Sequence, residues 1–260
     1  MQLKLAIPFG TTFDFFYKKA ESKDIDKSGE SGLSIIKTTE ELCLELLLSN
    51  RVSAAVLTPL QYGKAVGKAD MMIIPEIALF LKDYTRFASV AYAKNIRTIE
   101  KIASVNPEGY LTRIMQILLA ERYSIHPFVE KIGRKENDTL KKYDAFVAWG
   151  DLADEEIVSD ISEDWYEINQ YPLPIGFWVC HSEEHPEGLE QKLFNLAEIG
   201  TGHIHIFEKD DESEKIFQRQ GEISYKWNEE SETALLYTLQ MLYFHQFISE
   251  MPLVKLLGRD

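Results

Sequence analysis

Apolar and polar positions alternate between strand-like and helix-like spacing along almost the whole chain. Residues 2–7 predict a strand, and a loop from Ala20 to Ser31, rich in Lys, Asp, Ser and Gly, leads to a second strand at Leu33–Lys37. Thr38 with Glu41 three residues on has capping-box spacing and predicts a helix running to about Ser49. Val52–Leu57 is a short, nearly continuous apolar run, as in a strand covered on both faces, and Met71–Leu81 and Phe87–Ala93 predict further strands. A second set follows: strand Ile102–Val105, helix Tyr110–Tyr123, strand Pro127–Ile132, a short helix near Glu136–Lys142 and strand Ala145–Trp149. Pro172 and Pro174 then break the chain before a buried strand at Phe177–Cys180. Two last helices, about Glu187–Ile199 and Ser231–Ser249, flank a polar, acidic stretch at Lys209–Lys215.

This alternation implies an α/β fold with mostly parallel sheets. Two sets of βα units joined by Phe87–Ala93 and Phe177–Cys180 suggest two lobes, one formed by 1–88 and 181–260 and the other by 89–180, with a ligand cleft between them. Ligands of open α/β sheets bind at the carboxyl ends of strands, so the turns Pro8–Thr12, Thr58–Tyr62, Asn106–Gly109 and Gly150–Asp151 are the expected lining.

The chain has 260 residues, 45% hydrophobic and 27% charged, which fits one large or two modest globular domains. Its net charge of −14 argues against nucleic acid, whose phosphates need a clustered basic face. Pro8 interrupts the N-terminus before a signal-peptide core could form, and the apolar stretch Met71–Leu81 is too short for a membrane span. Cys43 and Cys180 stand far apart, outside any Cys-x-x-Cys, as expected of unpaired thiols in the cytoplasm.

Walker, dinucleotide-binding and Gly-x-Ser-x-Gly signatures are absent. His181 and His185 lack the Glu that a zincin needs directly after its first His, and His203 and His205 have no further ligands near them, so no metal site is expected. The Phe13, Phe15, Phe16, Tyr17 cluster reads as core. The hydroxyls of Thr11, Thr12, Thr58 and Tyr62 are candidate donors, although threonines in such turns also serve as caps. Asp151 serves equally as a helix cap or a ligand partner.

Several segments, in order, resemble the menaquinone-biosynthesis family of the futalosine route. They are Arg51-Val-Ser-Ala-Ala-Val-Leu-Thr-Pro-Leu-Gln-Tyr62, Ile117-Leu-Leu-Ala-Glu-Arg-Tyr-Ser-Ile125, Ala145-Phe-Val-Ala-Trp-Gly-Asp151 and Glu163-Asp-Trp165 through Pro172-Leu-Pro-Ile-Gly-Phe-Trp178. More weakly, Ile223-Ser-Tyr-Lys226 resembles the C-terminal part of its chorismate dehydratase branch. The resemblance implies a type II periplasmic-binding-protein-like fold in a cytoplasmic enzyme. The strand ending in Trp149-Gly150-Asp151 is similar to the dehydratase branch, whereas Thr12-Phe13 and Pro172-Leu-Pro-Ile-Gly176 also resemble the dihydroxynaphthoate synthase. The synthase's histidine after the Ala145–Trp149 strand is missing. Thr11 replaces an Asn of the dehydratase, and Glu108 stands where both branches open a helix with hydroxyl residues; a carboxylate there would be repelled.

The activity implied is loss of water from chorismate to give 3-(1-carboxyvinyloxy)benzoate, without a cofactor. The expected substrate contacts are Thr11, Thr12, Thr58, Gln61, Tyr62, Asn106, Gly150 and Asp151, with Asp151 or Tyr62 as candidate catalytic groups. The alternatives are the synthase reaction and a non-catalytic protein that binds a small carboxylate. Oligomeric state is not legible.

Overall fold

The computed structural model describes residues 3–17, 33–152, 154–155, 157–197, 201–209 and 216–259. The expected Ala20–Ser31 loop lies outside the described residues, as does the acidic stretch beyond Lys209. In chain order the elements are β1 (Leu3–Pro8), β2 (Leu33–Thr38), α1 (Glu40–Leu48), β3 (Ala54–Leu57), α2 (Pro59–Lys64), β4 (Met71–Asp83), β5 (Ala88–Tyr92) and β6 (Lys101–Ser104). There follow α3 (Tyr110–Tyr123), β7 (Phe128–Lys131), α4 (Thr139–Lys142), β8 (Ala145–Trp149), β9 (Val158–Asp160), α5 (Ile161–Asn169) and β10 (Leu173–His181). The chain continues with α6 (Leu189–Leu196), β11 (Thr201–Lys209), β12 (Ile216–Ser224) and α7 (Glu229–Phe244). A 3-10 segment, Thr11–Phe16, follows β1.

The chain divides into two compact units, residues 1–80, 174–200 and 225–260 in the first and 81–173 and 201–224 in the second. The expected division, 1–88 plus 181–260 against 89–180, is corrected at 201–224 and at both crossings, which fall inside β4 and β10. Residues 201–224 are the antiparallel hairpin β11–β12, and its partner in the second unit is the segment just after β4. The Tyr84 amide donates to the Gln220 carbonyl at 3.2 Å. Gly221 lies so close to Tyr84 that a Cβ there would sit 2.1 Å from the Tyr84 carbonyl oxygen, so only glycine fits.

The larger sheet has seven strands in the order β2-β1-β3-β10-β4-β12-β11, with β1 parallel to β2 and β3 and with β10 antiparallel to β3. The second sheet repeats the order of the first five as β7-β6-β8-β5-β9, with β6 parallel to β7 and β8 and with β5 antiparallel to both neighbours. The first sheet takes its antiparallel strand β10 from a segment where the chain passes between units; the other passage falls in β4 and not in the expected Phe87–Ala93, which holds β5 within the second unit.

Local chemistry sets the element ends. The helix expected from Thr38 starts one residue later, because Thr38 pairs with Pro8 as the last residue of β2 and leaves the cap to Thr39, which accepts from the Leu42 amide at 3.2 Å. Pro174 does not end the chain's extended course: β10 begins at Leu173, and Pro174 is tolerated near the start of the strand. In α3 the buried positions Tyr110, Ile114, Ile117 and Leu118 recur at helical spacing, and the helix packs on β8 and α5. Phe16 meets Trp178 edge to face at 5.8 Å, which makes the Phe cluster core, as the sequence suggests.

Candidate functional site

Parallel strands β1 and β3 end on the same edge of the first sheet, and their following turns are the candidate site there. After β1 the Phe9 amide donates to the Thr38 carbonyl at 2.6 Å, and Gly10, at φ 114, turns the chain into the 3-10 segment. Thr11 is exposed and Thr12 buried at the start of that segment. Phe9 is 60% exposed, an apolar ring at the strand end that sequence reasoning passes over.

After β3 the structure corrects two expectations. Thr58 is fully buried, caps α2 by accepting from the Gln61 amide at 3.4 Å and donates to Glu40 Oε2 at 3.4 Å. The Tyr62 hydroxyl donates to the Leu253 carbonyl at 2.9 Å, tying the C-terminal segment down, and burial pushes its pKa up to about 12. Both hydroxyls are engaged inside the unit, so neither Thr58 as a substrate donor nor Tyr62 as a catalytic group survives. Gln61 is different: it is 2% exposed, and its Nε2 has no acceptor among the described residues.

In the second unit the corresponding turns follow β6 and β8. Gly109 leaves room for the Asn106 side-chain amide: a Cβ there would lie 2.6 Å from Asn106 Nδ2. The Asn106 backbone amide donates to Ser104 Oγ at 3.1 Å, and its carbonyl accepts from Thr112 Oγ1 at 2.9 Å. Glu108 ion-pairs with Arg113, so its charge is answered within the turn. Val105 is 48% exposed, in the same place relative to β6 as Phe9 is to β1.

After β8, Gly150 takes φ 89 and its amide donates to the Phe87 carbonyl at 2.8 Å. No helix starts at Asp151, so the capping role considered for it is absent; its carboxylate pairs with Arg86 instead. Arg86, at φ 62, belongs to no motif and is not among the residues expected from the sequence. Its Nε is buried without an acceptor among the described residues. Its conformation is fixed by Asp160, a buried carboxylate that accepts from the amides of Thr85 at 2.9 Å and Ser162 at 2.8 Å and from that of Arg86. Burial raises the pKa of Asp160, and these hydrogen bonds oppose the rise. Asp160 followed by Glu163 at a helix start is a capping pattern that could have revealed it.

Three of the four histidines considered in the sequence have structural partners. His181 Nε2 lies 2.8 Å from the Leu47 carbonyl, His185 Nδ1 lies 3.1 Å from the His181 carbonyl, and His205 Nδ1 lies 3.1 Å from Gln218 Nε2. Among the described residues no group of three or more His, Cys, Asp or Glu side chains could hold a metal ion, and no helix is long and apolar enough to cross a membrane.

Two sheets that share one order of five strands, each with its antiparallel return strand, define a two-unit α/β protein of the type II periplasmic-binding-protein-like fold. Protein AF1704 from Archaeoglobus fulgidus has a similar fold, with TM-score 0.60 and 12% identity over 95% of this chain and 98% of that one. The periplasmic aliphatic sulphonate binding protein SsuA from Escherichia coli superposes less closely, with TM-score 0.48 and 15% identity over 69% of this chain and 64% of its own. An ABC transporter protein from Parabacteroides distasonis gives TM-score 0.49 and 10% identity over 95% and 80%. At such identities the likeness is one of fold. No protein-family model and no curated protein matches the sequence.

Proposed function

We infer that the chain takes a small carboxylate at its strand-end turns and acts on it as a chorismate dehydratase-like lyase of menaquinone biosynthesis. The observation that carries the binding half is a buried donor without an acceptor among the described residues, Arg86 Nε, beside the turn after β8. Gln61 Nε2 and the indole N–H groups of Trp178 and Trp227 are in the same condition in the first unit, but of these four side chains only Arg86 is a cation. An unmet buried donor costs roughly 1–3 kcal/mol, and a ligand that supplies carboxylate oxygens recovers it. A guanidinium matches that ligand best, because its planar fork fits two oxygens. In the same unit as Arg86 the exposed Val105, after β6, offers apolar contact to a ring.

The lyase half rests on the resemblance to the dehydratase branch. A base removes a ring proton, the C–H electrons form the new ring double bond, and the hydroxyl leaves to combine with that proton as water. Aromatisation supplies the driving force, and no cofactor is needed. With Tyr62 committed to Leu253, Asp151 is the remaining candidate for the proton transfer. The same ion pair to Arg86 favours a second reading, a binding protein without turnover, because it occupies that carboxylate.

Incubation with chorismate, followed by the absorbance of the aromatic enolpyruvyl ether, separates the two. The lyase forms product and loses about a hundredfold or more of its rate in Asp151→Asn while still binding chorismate. Binding without product at high protein concentration leaves the second reading.

A further inference from the structure

The second unit has another cavity, at the opposite edge of its sheet. Tyr92, at the end of β5, pairs with Ala145, the first residue of β8, whereas Gly150 and Asp151 follow the last. Beside Tyr92 opens a cavity of about 480 Å³, within the roughly 300–1,000 Å³ of small-molecule sites. Its walls are apolar: Met115, Leu118 and Leu119 from α3, Ile168 from α5, and Ile96 and Ile99 from the segment after β5. Ile157, Ile168 and Tyr123 are exposed beside it, although exposed side chains of this size usually have polar neighbours between them.

One side of the cavity is polar and ordered. Ser159 Oγ donates to Asp164 Oδ2 at 3.0 Å and lies 3.2 Å from the Tyr92 hydroxyl, and Arg122 reaches Asp164 at 3.3 Å and Glu167 at 2.9 Å. Burial pushes the Tyr92 hydroxyl up to about 12 and raises Asp164, as expected of a poorly hydrated floor. The charged residues lining the cavity are Arg97, Arg122 and Asp164; Arg122 is held by Asp164 and Glu167, which leaves Arg97 as the cation outside those carboxylate pairs. Arg97 is exposed, so its charge is available at the mouth.

We propose that this cavity is a second binding site, separate from the strand-end turns, for a free amphiphilic monoanion: an aliphatic or aryl body against α3 and α5 and one carboxylate or sulfonate toward Arg97 and Arg122. The apolar walls take the body by removing it from water. The exposed guanidinium of Arg97 selects the sign of the head. This site does not depend on the identity of the ligand at the strand-end turns.

Calorimetric titration of the full chain with monomeric decanoate tests it, with decyltrimethylammonium as the opposite-sign probe. The expected result is one equivalent of decanoate bound and at least tenfold weaker binding of the cation. Arg97→Glu and Ile168→Glu change exposed positions, and thermal unfolding verifies that both variants fold. The first should weaken decanoate roughly three- to tenfold, with a loss that shrinks in high salt, and the second tenfold or more. No binding of decanoate, equal binding of the cation, or affinity unchanged in both folded variants would overturn the site.

Discussion

Glu163 is a carboxylate that burial works against. It sits in the first turn of α5, half-buried, and although Arg219 Nη2 lies 2.8 Å away, the loss of water pushes its pKa up to about 6. Its unfolded value is the ordinary 4.5, so the folded protein holds the proton more tightly. Stability from this group is therefore fully present below about pH 4.5 and is lost as pH rises through about 6. Glu163→Gln should flatten that part of the profile, and thermal unfolding midpoints of both proteins at pH 4.5, 5.5 and 6.5 check it: the difference between them should change across this window and not above it. At this scale the sequence identified types better than roles. Thr58, Gln61 and Tyr62 share one turn and read alike as polar candidates, yet Thr58 caps a helix, Tyr62 holds Leu253, and Gln61 alone keeps an unmet donor. Those fates depend on partners such as Glu40 and the C-terminal segment, far away in sequence, which no local pattern contains.

At the scale of elements, periodicity recovered most of what local burial dictates. The helix Tyr110–Tyr123 and the strand Ala145–Trp149 have the bounds that their apolar spacing predicts. What failed was context. The hairpin β11–β12 is not anticipated as strands: the sequence singles out only the Lys209–Lys215 stretch between them, as polar and acidic, and the pairing that joins the two strands is not a local pattern. The short β9 and α5 also went unseen; β9 has only three residues, and α5 shows its cap at Asp160 but few apolar positions. The hairpin's seat in the second unit gives a test. Gly221→Ala would place a Cβ 2.1 Å from the Tyr84 carbonyl, backbone that cannot swing away. Forced repacking of that kind costs about 1–3 kcal/mol, or a drop of roughly 2–10 °C in the unfolding midpoint for a protein of this size. Faster amide exchange at Tyr84 should accompany it; an unchanged midpoint would show that β12 does not rest there.

For the whole molecule, a strand order used twice is the feature that the sequence could only hint at. The alternation of strands and helices implies two sets of βα units, and of the two expected crossing segments Phe177–Cys180 lies in a strand that passes between units, whereas Phe87–Ala93 lies wholly in the second. Strand order itself is a long-range property, fixed by which edge each crossover reaches. The consequence for function is that both sheets present equivalent turns, after β1 and β3 in one unit and after β6 and β8 in the other, and beside the second set stands Arg86, with a buried donor that has no acceptor among the described residues. The account's central claim is that a carboxylate ligand supplies that acceptor. Calorimetric titration of chorismate into the wild type and Arg86→Gln tests it directly. The account predicts one equivalent bound by the wild type and affinity roughly ten- to a hundredfold lower in the folded variant, the loss of one hydrogen bond to a charged group. Absence of binding by the wild type, or equal affinity in both, would contradict it.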